Sequence, residues 1–556
     1  MNKPRIILSA LAFIAIAANA TLKLPSILGS EMVLQQSSKL TIKGTATANA
    51  YIRVKATWDN TDFIDTIDAN GNFTVTLDIP AVNAENPSEK YTLSIYELKK
   101  WGTGYRSLDV KVFSNVQIGE VWLCSGQSNM QMPVDNLWGY GGINNYAEEI
   151  QNANYPMIKL FRVTATGKYN HPADDIPVEA GWCACSPSTV GTFSALGYLF
   201  GRKLNTELNI PIGLIESAYG GSSAEAWVSY ETIKNFPYFK NTLANCEKYD
   251  FNRDSLSKYC GYKNEFQIPT LLYNSMIYPL ISFPMRGVIW YQGEANAYSQ
   301  TYYTALMDSL ISSWRKDWGI NLSFYTVQLA GYYDQVTVQP ASNWAKLRWQ
   351  QWKTAQEMEN SGIATAVDIG NQENIHPKNK QELARRLALL ALKNTYGKDV
   401  VAEAPVPVKY DFMYKKAKIT FNKKIHVRND SIPAGFLFQD RSYASFYEGT
   451  ATLLNDTTIE VSVTRPVRPR AIYYNWADYP IGNIYGENDL PVLPFRTDEM
   501  DLINDISEVK AASTNSPQSV YTTDGMLIRE NVGDGKATDN LPKGIYIIGD
   551  KKKLVK

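Results

Sequence analysis

The first candidate for chemistry is Ser128, which follows a short apolar segment. Residues 121–124 are apolar, and Ser125-Gly126 predicts a tight turn directly after them. A strand that ends in a glycine turn presents its next side chains at the C-terminal edge of the sheet, where open α/β folds bind substrates. Ser128 is therefore a candidate nucleophile, provided that other segments supply a base and an oxyanion hole.

The chain has three histidines, and an imidazole base for Ser128 must be one of them. His171 lies in a polar segment with no predicted strand before it, and His426 lies in a region of β pattern. His376 follows the predicted strand 363–367 by a short loop, which places it at the same sheet edge as Ser128. We therefore interpret His376 as the base. Activity should fall at acid pH as His376 protonates, and a rate that stays flat from about pH 5 to 8 would argue against this role.

A Ser-His pair commonly has a carboxylate that orients the imidazole and stabilises the imidazolium. The loop before His376 contains two, Asp368 and Glu373. Glu373 lies three residues before the histidine, close enough to reach Nδ1 around a turn, whereas Asp368 ends the strand and could instead pin the loop. We favour Glu373 as the acid, with Asp368 as the alternative.

Two further strand ends offer donors for an oxyanion hole. Gly220-Gly221 follows the predicted strand 212–215, and glycines let backbone N–H groups approach a ligand closely. Gln292 follows the predicted strand 287–291 and brings a side-chain amide. Ser222 and Ser223 lie in the same glycine turn and are rival nucleophiles. Neither serine segment matches the Gly-x-Ser-x-Gly elbow, which disfavours the α/β-hydrolase fold.

Composition excludes several classes of function. With 55 basic and 55 acidic residues the net charge is zero, which gives no electrostatic case for binding nucleic acid or an anionic membrane. Aromatic residues make up 12% of the chain, a content that suits either sugar stacking or sandwich cores. Five cysteines are too few for a disulfide scaffold, although Cys246 and Cys260 could close a loop. The scarcity of histidine and the cysteine spacing argue against zinc.

The N-terminus has the pattern of a secretory signal peptide. Lys3 and Arg5 precede the apolar run 6–18, and a small-residue cleavage site ends at Ala20. No later stretch approaches the ~18 consecutive apolar residues of a transmembrane helix. We therefore expect residues 1–20 to be removed and the protein to be secreted, to the periplasm or the cell surface.

The remaining chain divides by its hydrophobic period. Residues 21–115 and 401–498 alternate apolar with polar between Asn and Gly turns, which predicts two accessory β-sandwich domains. In residues 116–400 short strands alternate with amphipathic helices, which predicts a mainly parallel sheet with helices on both faces. Residues 499–556 indicate a polar linker and a tail of short strands. The helices are predicted at residues 194–208, 302–318, 343–360 and 379–394, and the strands at 121–124, 212–215, 287–291, 322–329 and 363–367.

Four blocks, residues 126–130, 219–227, 290–297 and 368–382, resemble the successive blocks of the SGNH-type hydrolases and, more narrowly, of the sialate O-acetylesterase family. Their sequences begin Gly-Gln-Ser-Asn-Met, Tyr-Gly-Gly-Ser-Ser, Trp-Tyr-Gln-Gly-Glu and Asp-Ile-Gly-Asn-Gln. The resemblance extends over about residues 24–498. It implies a flavodoxin-like α/β/α sandwich with accessory β domains and no metal or cofactor.

The resemblance also implies roles for individual residues. Ser128 would be the nucleophile and His376 the base, while the Ser128 and Gly221 N–H groups and the Gln292 side chain would form the oxyanion hole. The chain departs from the family at the acid. Related sequences usually carry Asp close before the histidine, whereas here Asn371, Glu373 and Asn374 occupy that loop. A Ser-His dyad supported by a backbone carbonyl is therefore an alternative.

The function expected from these features is that of a secreted carbohydrate esterase that removes O-acetyl groups, with 9-O-acetylated sialic acid as the favoured substrate. Acetylated plant polysaccharide such as xylan is the alternative substrate, and a non-catalytic glycan-binding protein is the alternative class. Binding of the sialate carboxylate by Arg348 would favour sialic acid as the substrate, and an open aromatic groove would favour the polysaccharide. The tail is similar to C-terminal sorting domains of exported Bacteroidetes proteins. The residues expected to contact the substrate are Asn129, Glu294, Asn296 and Arg348.

Overall fold

The computed structural model describes residues 22–428, 432–441 and 445–500, and four short segments nearer the C-terminus, 518–522, 527–532, 544–548 and 551–555. The predicted signal peptide and residues 501–517 of the predicted linker lie outside the described residues. Within the described part of the chain, no helix has the length and apolar content needed to cross a membrane.

The N-terminal region is built mainly from antiparallel strand pairs, as its two-residue period predicts. In the strand Asn72–Ile79 every second side chain is buried, among them Val75 and Leu77. This burial pattern gives the strand one face toward the core and one toward solvent. The strands are β1 (Val33–Gln35), β2 (Ser38–Thr45), β3 (Tyr51–Ala56), β4 (Asp62–Thr66), β5 (Asn72–Ile79), β6 (Tyr91–Trp101) and β7 (Gly104–Gly126).

Strand β7 belongs to two sheets and joins the N-terminal region to the central one. Its first part pairs with β6 and is largely exposed, whereas every residue from Val116 onward is buried. Asn115 has a φ of +56° and interrupts the regular pairing at this point. The predicted boundary between residues 115 and 116 therefore coincides with an irregularity inside one continuous strand. Strand β7 runs from one region into the other, so no linker separates them.

The central sheet is mixed. Its further strands are β8 (Tyr155–Val163), β9 (Val178–Cys185), β10 (Ile212–Ala218), β11 (Gly287–Tyr291), β12 (Ser323–Gln328) and β13 (Ser361–Thr365). Their order is β13-β12-β11-β7-β10-β8-β9. All neighbours in this order pair in parallel except β8 and β9, so the predicted parallel sheet carries one antiparallel strand at its edge. The C-terminal ends of the parallel strands lie along one edge of the sheet.

Helices cover both faces of this sheet. Phe324 in β12 contacts Trp314 with 6.1 Å between ring centroids, whereas its neighbour Tyr325 hydrogen-bonds Thr395, 2.7 Å away. Consecutive strand residues point to opposite faces, so the helices that carry Trp314 and precede Thr395 lie on opposite sides. The helices are α1 (Ser128–Gln131), α2 (Tyr146–Gln151), α3 (Ala195–Leu208), α4 (Tyr230–Ile233), α5 (Lys240–Lys248), α6 (Arg253–Cys260), α7 (Tyr303–Trp318), α8 (Asn343–Glu357) and α9 (Lys380–Asn394).

Short 3₁₀ and π segments complete this region. They are Ala224–Trp227, Pro237–Phe239, Glu265–Gln267, Tyr273–Ile277, Tyr278–Leu280 and Glu294–Tyr302, with Glu487–Asp489 in the region that follows. Two of them, Ala224–Trp227 and Glu294–Tyr302, begin within a few residues of the ends of β10 and β11. They therefore lie close to the edge of the sheet formed by the C-terminal ends of the parallel strands.

The C-terminal region forms a second antiparallel assembly whose core includes Trp349 and Trp352 of α8. These indoles belong to the central region, so side chains of the central region pack in the core of the C-terminal region. The strands are β14 (Pro407–Met413), β15 (Lys416–Phe421), β16 (His426–Val427), β17 (Phe436–Asp440), β18 (Phe446–Asn455), β19 (Thr458–Ser462), β20 (Pro469–Tyr474), β21 (Ile484–Tyr485) and β22 (Phe495–Arg496), followed in the tail by β23 (Gln518–Thr522), β24 (Leu527–Val532), β25 (Gly544–Ile548) and β26 (Lys551–Val555).

Cys246 and Cys260 are free thiols in this structure. Both contribute to a small apolar cluster with Leu256 and Ile268, and burial raises the pKa of Cys246 to about 12. A thiol with a raised pKa carries little of the reactive thiolate. Because both thiols are free, the loop closure that the sequence allows is not formed here.

Candidate active site

Ser128 is held at the substrate edge of the sheet by the turn that follows β7. Gly126 has a φ of +130°, and a Cβ at this position would lie 2.1 Å from the Tyr291 carbonyl oxygen. Only glycine fits both the backbone conformation and the space. The chain therefore turns sharply after the central strand, and α1 begins at Ser128.

The structure brings the predicted nucleophile and base together. The Nε2 atom of His376 lies 2.9 Å from the Ser128 Oγ, although 248 residues separate them in the sequence. A neutral imidazole at this distance accepts the hydroxyl proton, which is the arrangement that general-base activation of a serine requires. The Tyr140 and His376 rings form a T-shaped contact, with centroids 4.8 Å apart.

Burial, and to a smaller extent the positive charge of Lys380, lower the pKa of His376 to about 4. The imidazole therefore stays neutral, and able to accept a proton, well below pH 6. This corrects the pH criterion stated from the sequence. A rate that is flat from about pH 5 to 8 is what this His376 should give, and the fall in activity moves to more acid pH.

Neither predicted carboxylate orients the His376 ring. Glu373 is exposed, and among the described residues no hydrogen bond or ion pair joins its carboxylate to the imidazole. The Asp368 carboxylate is instead held by both terminal nitrogens of Arg386, at 2.7 and 2.8 Å, and by the Tyr485 hydroxyl at 3.1 Å. The favoured acid and its alternative are both wrong as partners of His376, and the geometry is that of a Ser-His dyad.

Two asparagines shape the loop that carries the base. The side-chain oxygen of Asn371 accepts hydrogen bonds from the N–H groups of Glu373 and Asn374, each at 2.9 Å. Asn374 in turn accepts the His376 N–H at 2.9 Å. Asn side chains commonly bond to backbone two residues further on, so this Asn-rich stretch carried a turn signal that our sequence analysis did not use.

Asn129 braces the nucleophile against the base and does not face a substrate. Its side chain is 1% exposed, and its amide N–H groups donate to the Ile375 carbonyl at 3.0 Å and to Glu294 Oε1 at 2.6 Å. Its side-chain oxygen accepts from the Lys380 Nζ at 2.7 Å. The predicted substrate contacts at Asn129 and Glu294 are therefore replaced by a Lys380–Asn129–Glu294 network, in which Lys380 and Asn129 are buried and Glu294 is half-buried.

Lys380 was missed by the sequence analysis. It is fully buried, and burial lowers the pKa of its amine to about 7. Burial likewise raises the pKa of Glu294. One feature of the sequence could have identified Lys380. It is the first residue of α9, where the helix dipole disfavours a positive charge, so a lysine there indicates a stabilising partner. That partner is the Asn129 side chain.

The oxyanion donors that remain open are backbone N–H groups. A Cβ at Gly220 would lie 3.4 Å from the Ser128 Cβ, so the Gly220-Gly221 turn passes directly beside the nucleophile. The Gly220 N–H donates to Gln131 Oε1 at 2.9 Å. The N–H groups of Ser128 and Gly221 donate to no described residue, which leaves them available to an oxyanion.

The Gln292 amide is already fully used. Its Nε2 donates to the Ser222 carbonyl at 3.1 Å and to Asn296 Oδ1 at 2.7 Å, and its Oε1 accepts from the Tyr303 hydroxyl at 2.9 Å. The predicted oxyanion contact of Gln292 and substrate contact of Asn296 (1% exposed) are thus replaced by bonds that hold the glycine turn in place.

The rival nucleophiles and bases are out of position. Ser222 is fully buried and accepts from the Trp227 indole at 3.0 Å, and Ser223 donates to the Gln267 carbonyl at 3.3 Å. The exposed His171 contacts the Pro172 carbonyl, and His426 lies 3.7 Å from Asp489 in the C-terminal region. In the described part of the chain, neither of these serines hydrogen-bonds a histidine, and neither of these histidines hydrogen-bonds a serine.

Arg348 cannot read a substrate carboxylate, because it is fully buried. Its guanidinium donates to four backbone carbonyls, those of Leu329, Ala330, Ala477 and Asp478, at 2.6 to 2.8 Å. The proposed substrate contact is therefore wrong, and Arg348 joins the central region to the C-terminal β region.

A cavity of about 370 Å³ opens beside the Ser-His pair. Lys378 lies beside Gly141, the residue that follows the cavity-lining Tyr140, and its Nζ would be 3.3 Å from a Cβ at Gly141. A larger cavity of about 580 Å³, lined in part by Arg286 and Trp318, lies at the opposite ends of the strands and includes none of the predicted site residues. The smaller cavity is lined by Gln131, Trp138, Gly139, Tyr140 and His376.

Comparison with known proteins finds matches among carbohydrate esterases. The family model described as "Carbohydrate esterase, sialic acid-specific acetylesterase" matches residues 118–393, a range that contains Ser128 and His376. Sialate O-acetylesterases of Mus musculus and Homo sapiens are 30% and 29% identical over 357 and 349 residues, which is 56% of this chain in each case. The matches span 64% and 61% of those proteins, less than two thirds of their length.

The solved structures include a carbohydrate acetylesterase from Xanthomonas citri with 30% sequence identity and a TM-score of 0.72. The alignment covers 86% of this chain and 99% of that one. The similarity therefore extends beyond the central sheet into the accessory β regions.

Proposed function

This chain belongs to the sialic acid-specific acetylesterase family of carbohydrate esterases, and from that premise we propose that it removes O-acetyl groups from sugars by a Ser128–His376 acyl-enzyme mechanism. The observation that carries the proposal is the 2.9 Å contact between Ser128 Oγ and His376 Nε2. It also disfavours a non-catalytic glycan-binding role, since a binding protein gains nothing from that pairing.

In the first half of the proposed reaction, His376 Nε2 takes the proton of the Ser128 hydroxyl while Oγ attacks the acetyl carbonyl carbon. The N–H groups of Ser128 and Gly221 stabilise the negative charge on the carbonyl oxygen. As the tetrahedral intermediate collapses, the imidazolium gives its proton to the departing sugar oxygen. The products of this half are a free sugar hydroxyl and acetyl-Ser128.

In the second half, His376 takes a proton from water, and the hydroxide attacks the acetyl carbon. Collapse returns the proton to Ser128 Oγ and releases acetate. The buried Asn129 bridge keeps the base beside the nucleophile throughout. The protein is thereby restored, with one ester and one water converted to one alcohol and one acid.

O-acetylated sialic acid is the favoured substrate because the matching family and the curated relatives are named for it, and within that class we place the 9-O-acetyl form first. Lys378 supports this choice, since it lies beside Gly141, next to the cavity-lining Tyr140, and its ammonium, which forms no ion pair with any described residue, could meet the sialate carboxylate. An acetylated neutral polysaccharide is the second candidate. The aromatic lining of the cavity and the burial of Arg348 favour it.

Export through the N-terminal signal sequence, to the periplasm or the cell surface, is part of the same proposal. It is supported by the basic start and apolar run of residues 1–20. Sequencing the N-terminus of the exported protein tests it, with Thr21 as the expected first residue.

Acetate release tests the chemistry. The wild type, Ser128→Ala and the matched control Ser223→Ala should be assayed on 9-O-acetylated sialic acid and acetylated xylan in parallel. We expect Ser128→Ala to lower kcat by roughly 10⁴-fold or more and Ser223→Ala to keep most of it. Release that survives in Ser128→Ala would refute the nucleophile, and a wild type inactive on both would refute the esterase proposal.

A further inference from the structure

Trp138 stands beside the catalytic pair with much of its side chain in solvent. It is 57% exposed, yet it lines the same cavity as His376 and Tyr140. Large aromatic side chains usually bury most of their surface. An exposed indole in the cavity beside the Ser-His pair is therefore unusual, and exposed apolar surface of this kind often marks a binding site.

The local backbone gives no reason for a tryptophan at this position. Residues 137–140 form a turn closed by the hydrogen bond from the Tyr140 N–H to the Leu137 carbonyl, 3.1 Å. Its two central residues, Trp138 and Gly139, have φ values of +52° and +82°, the pattern of a type I′ turn. Such turns favour Asn-Gly, because asparagine tolerates a positive φ better than bulky residues do. Tryptophan therefore occupies a position for which its own turn favours asparagine, and residues in such unfavourable backbone conformations cluster at functional sites.

One face of the indole is backed by a fixed cation. The Arg162 guanidinium lies 5.5 Å from the ring centroid. Arg162 is itself held by Glu179 at 2.9 Å and by the Thr192 carbonyl, and its side chain is only 12% exposed. No described aromatic ring packs on Trp138. The ring is thus supported from one side while most of its remaining surface faces solvent.

We propose that Trp138 is a sugar-binding platform: the apolar face of a pyranose ring stacks on its indole while the attached acetyl group reaches Ser128. A pyranose presents axial C–H groups on one face, and an aromatic ring presents negative charge on its own face, so the two attract. This inference rests on the proposed esterase function and adds a specificity-determining residue to it. It predicts that Trp138 acts on saccharide esters and contributes little to esters without a sugar ring.

Three variants test the platform. Trp138→Asn installs the residue that a type I′ turn prefers and removes the aromatic face, whereas Trp138→Phe keeps an aromatic face. Trp101→Asn is the matched control, because Trp101 is 69% exposed with Arg106 at 6.0 Å from its ring but lies on β6 of the N-terminal region. kcat and KM are measured for an acetylated saccharide and for 4-nitrophenyl acetate.

For Trp138→Asn we expect KM for the saccharide ester to rise about tenfold more than KM for 4-nitrophenyl acetate. Trp138→Phe should recover most of the loss, and Trp101→Asn should match the wild type on both esters. An equal loss on the two esters would overturn the platform, as would no loss on either. A wild type that cleaves 4-nitrophenyl acetate but no saccharide ester would instead refute the proposed substrate class, and the platform with it.

Discussion

The side-chain amide of Asn129 donates a hydrogen bond to the Ile375 carbonyl, 3.0 Å away. Asn129 directly follows the nucleophile, and Ile375 directly precedes the base. One buried side chain therefore ties together the two segments whose separation sets the 2.9 Å contact between Ser128 and His376. The brace is itself fixed by Lys380 and Glu294, which occupy the remaining bonding positions of the amide.

Loss of this brace should lower catalysis more than it alters binding. We expect Asn129→Ala to reduce kcat by roughly 10- to 100-fold with a smaller change in KM, because misplaced reacting groups slow the chemical step. The matched control is Asn205→Ala, which removes a buried asparagine that donates to the Ile210 carbonyl at 2.8 Å in α3. Both variants should lose about 1–3 kcal/mol of unfolding free energy. Equal kcat in the two variants would show that Asn129 has only a structural role.

The pH profile should reflect the buried state of His376. Its pKa is about 4, so the general base is neutral above about pH 5 and becomes protonated as the pH falls through 4. We expect kcat/KM for an uncharged ester to be nearly flat from about pH 5 to 8 and half-maximal near pH 4. Circular dichroism at each pH separates titration from unfolding. A half-maximal rate near pH 6.5, the ordinary pKa of histidine, would contradict the burial argument.

Lys380 should control the position of that acid limb. Its charge lowers the pKa of His376, after the larger effect of burial. Lys380→Met removes the charge, so the pKa of His376 rises and activity is lost at a higher pH than in the wild type. Glu294 is the carboxylate of the same network and remains in both proteins. The control is Lys393→Met at the far end of α9, where Lys393 pairs with Glu403. An acid limb that is unchanged in Lys380→Met, or displaced to lower pH, would refute this coupling.

Arg348 should affect stability without affecting the choice of sugar. Arg348→Lys keeps the charge but cannot reproduce a planar fork to four carbonyls, so we expect a loss of about 2 kcal/mol or more in unfolding free energy. The ratio of kcat/KM for acetylated sialate to that for acetylated xylan should stay at its wild-type value. Thermal unfolding and the two assays check this. A selective loss on sialate would restore the carboxylate-binding role that the buried geometry excludes.

Much of the architecture was readable from the sequence because strands and helices have local periods. The predicted helix 194–208 corresponds to Ala195–Leu208, with Ser194 capping it by accepting the Gly197 N–H at 3.1 Å. The strand predicted at residues 287–291 is observed as Gly287–Tyr291. The antiparallel edge strand β9 was not predicted, because the direction of an edge strand is decided by its partner and leaves little trace in its own sequence.

The sequence by itself determined which strand ends meet at one sheet edge, and so which serine and which histidine could meet. It could not determine where each polar side chain points. Glu373, Gln292, Asn296 and Arg348 all occupy segments close to the site, yet Glu373 faces solvent and the other three are fully bonded within the protein. Only the tertiary structure decided this, because the orientation of a polar group depends on partners distant in sequence. The same physics buries Lys380 behind Asn129: a charge enters the interior only where other buried groups complete its hydrogen bonds.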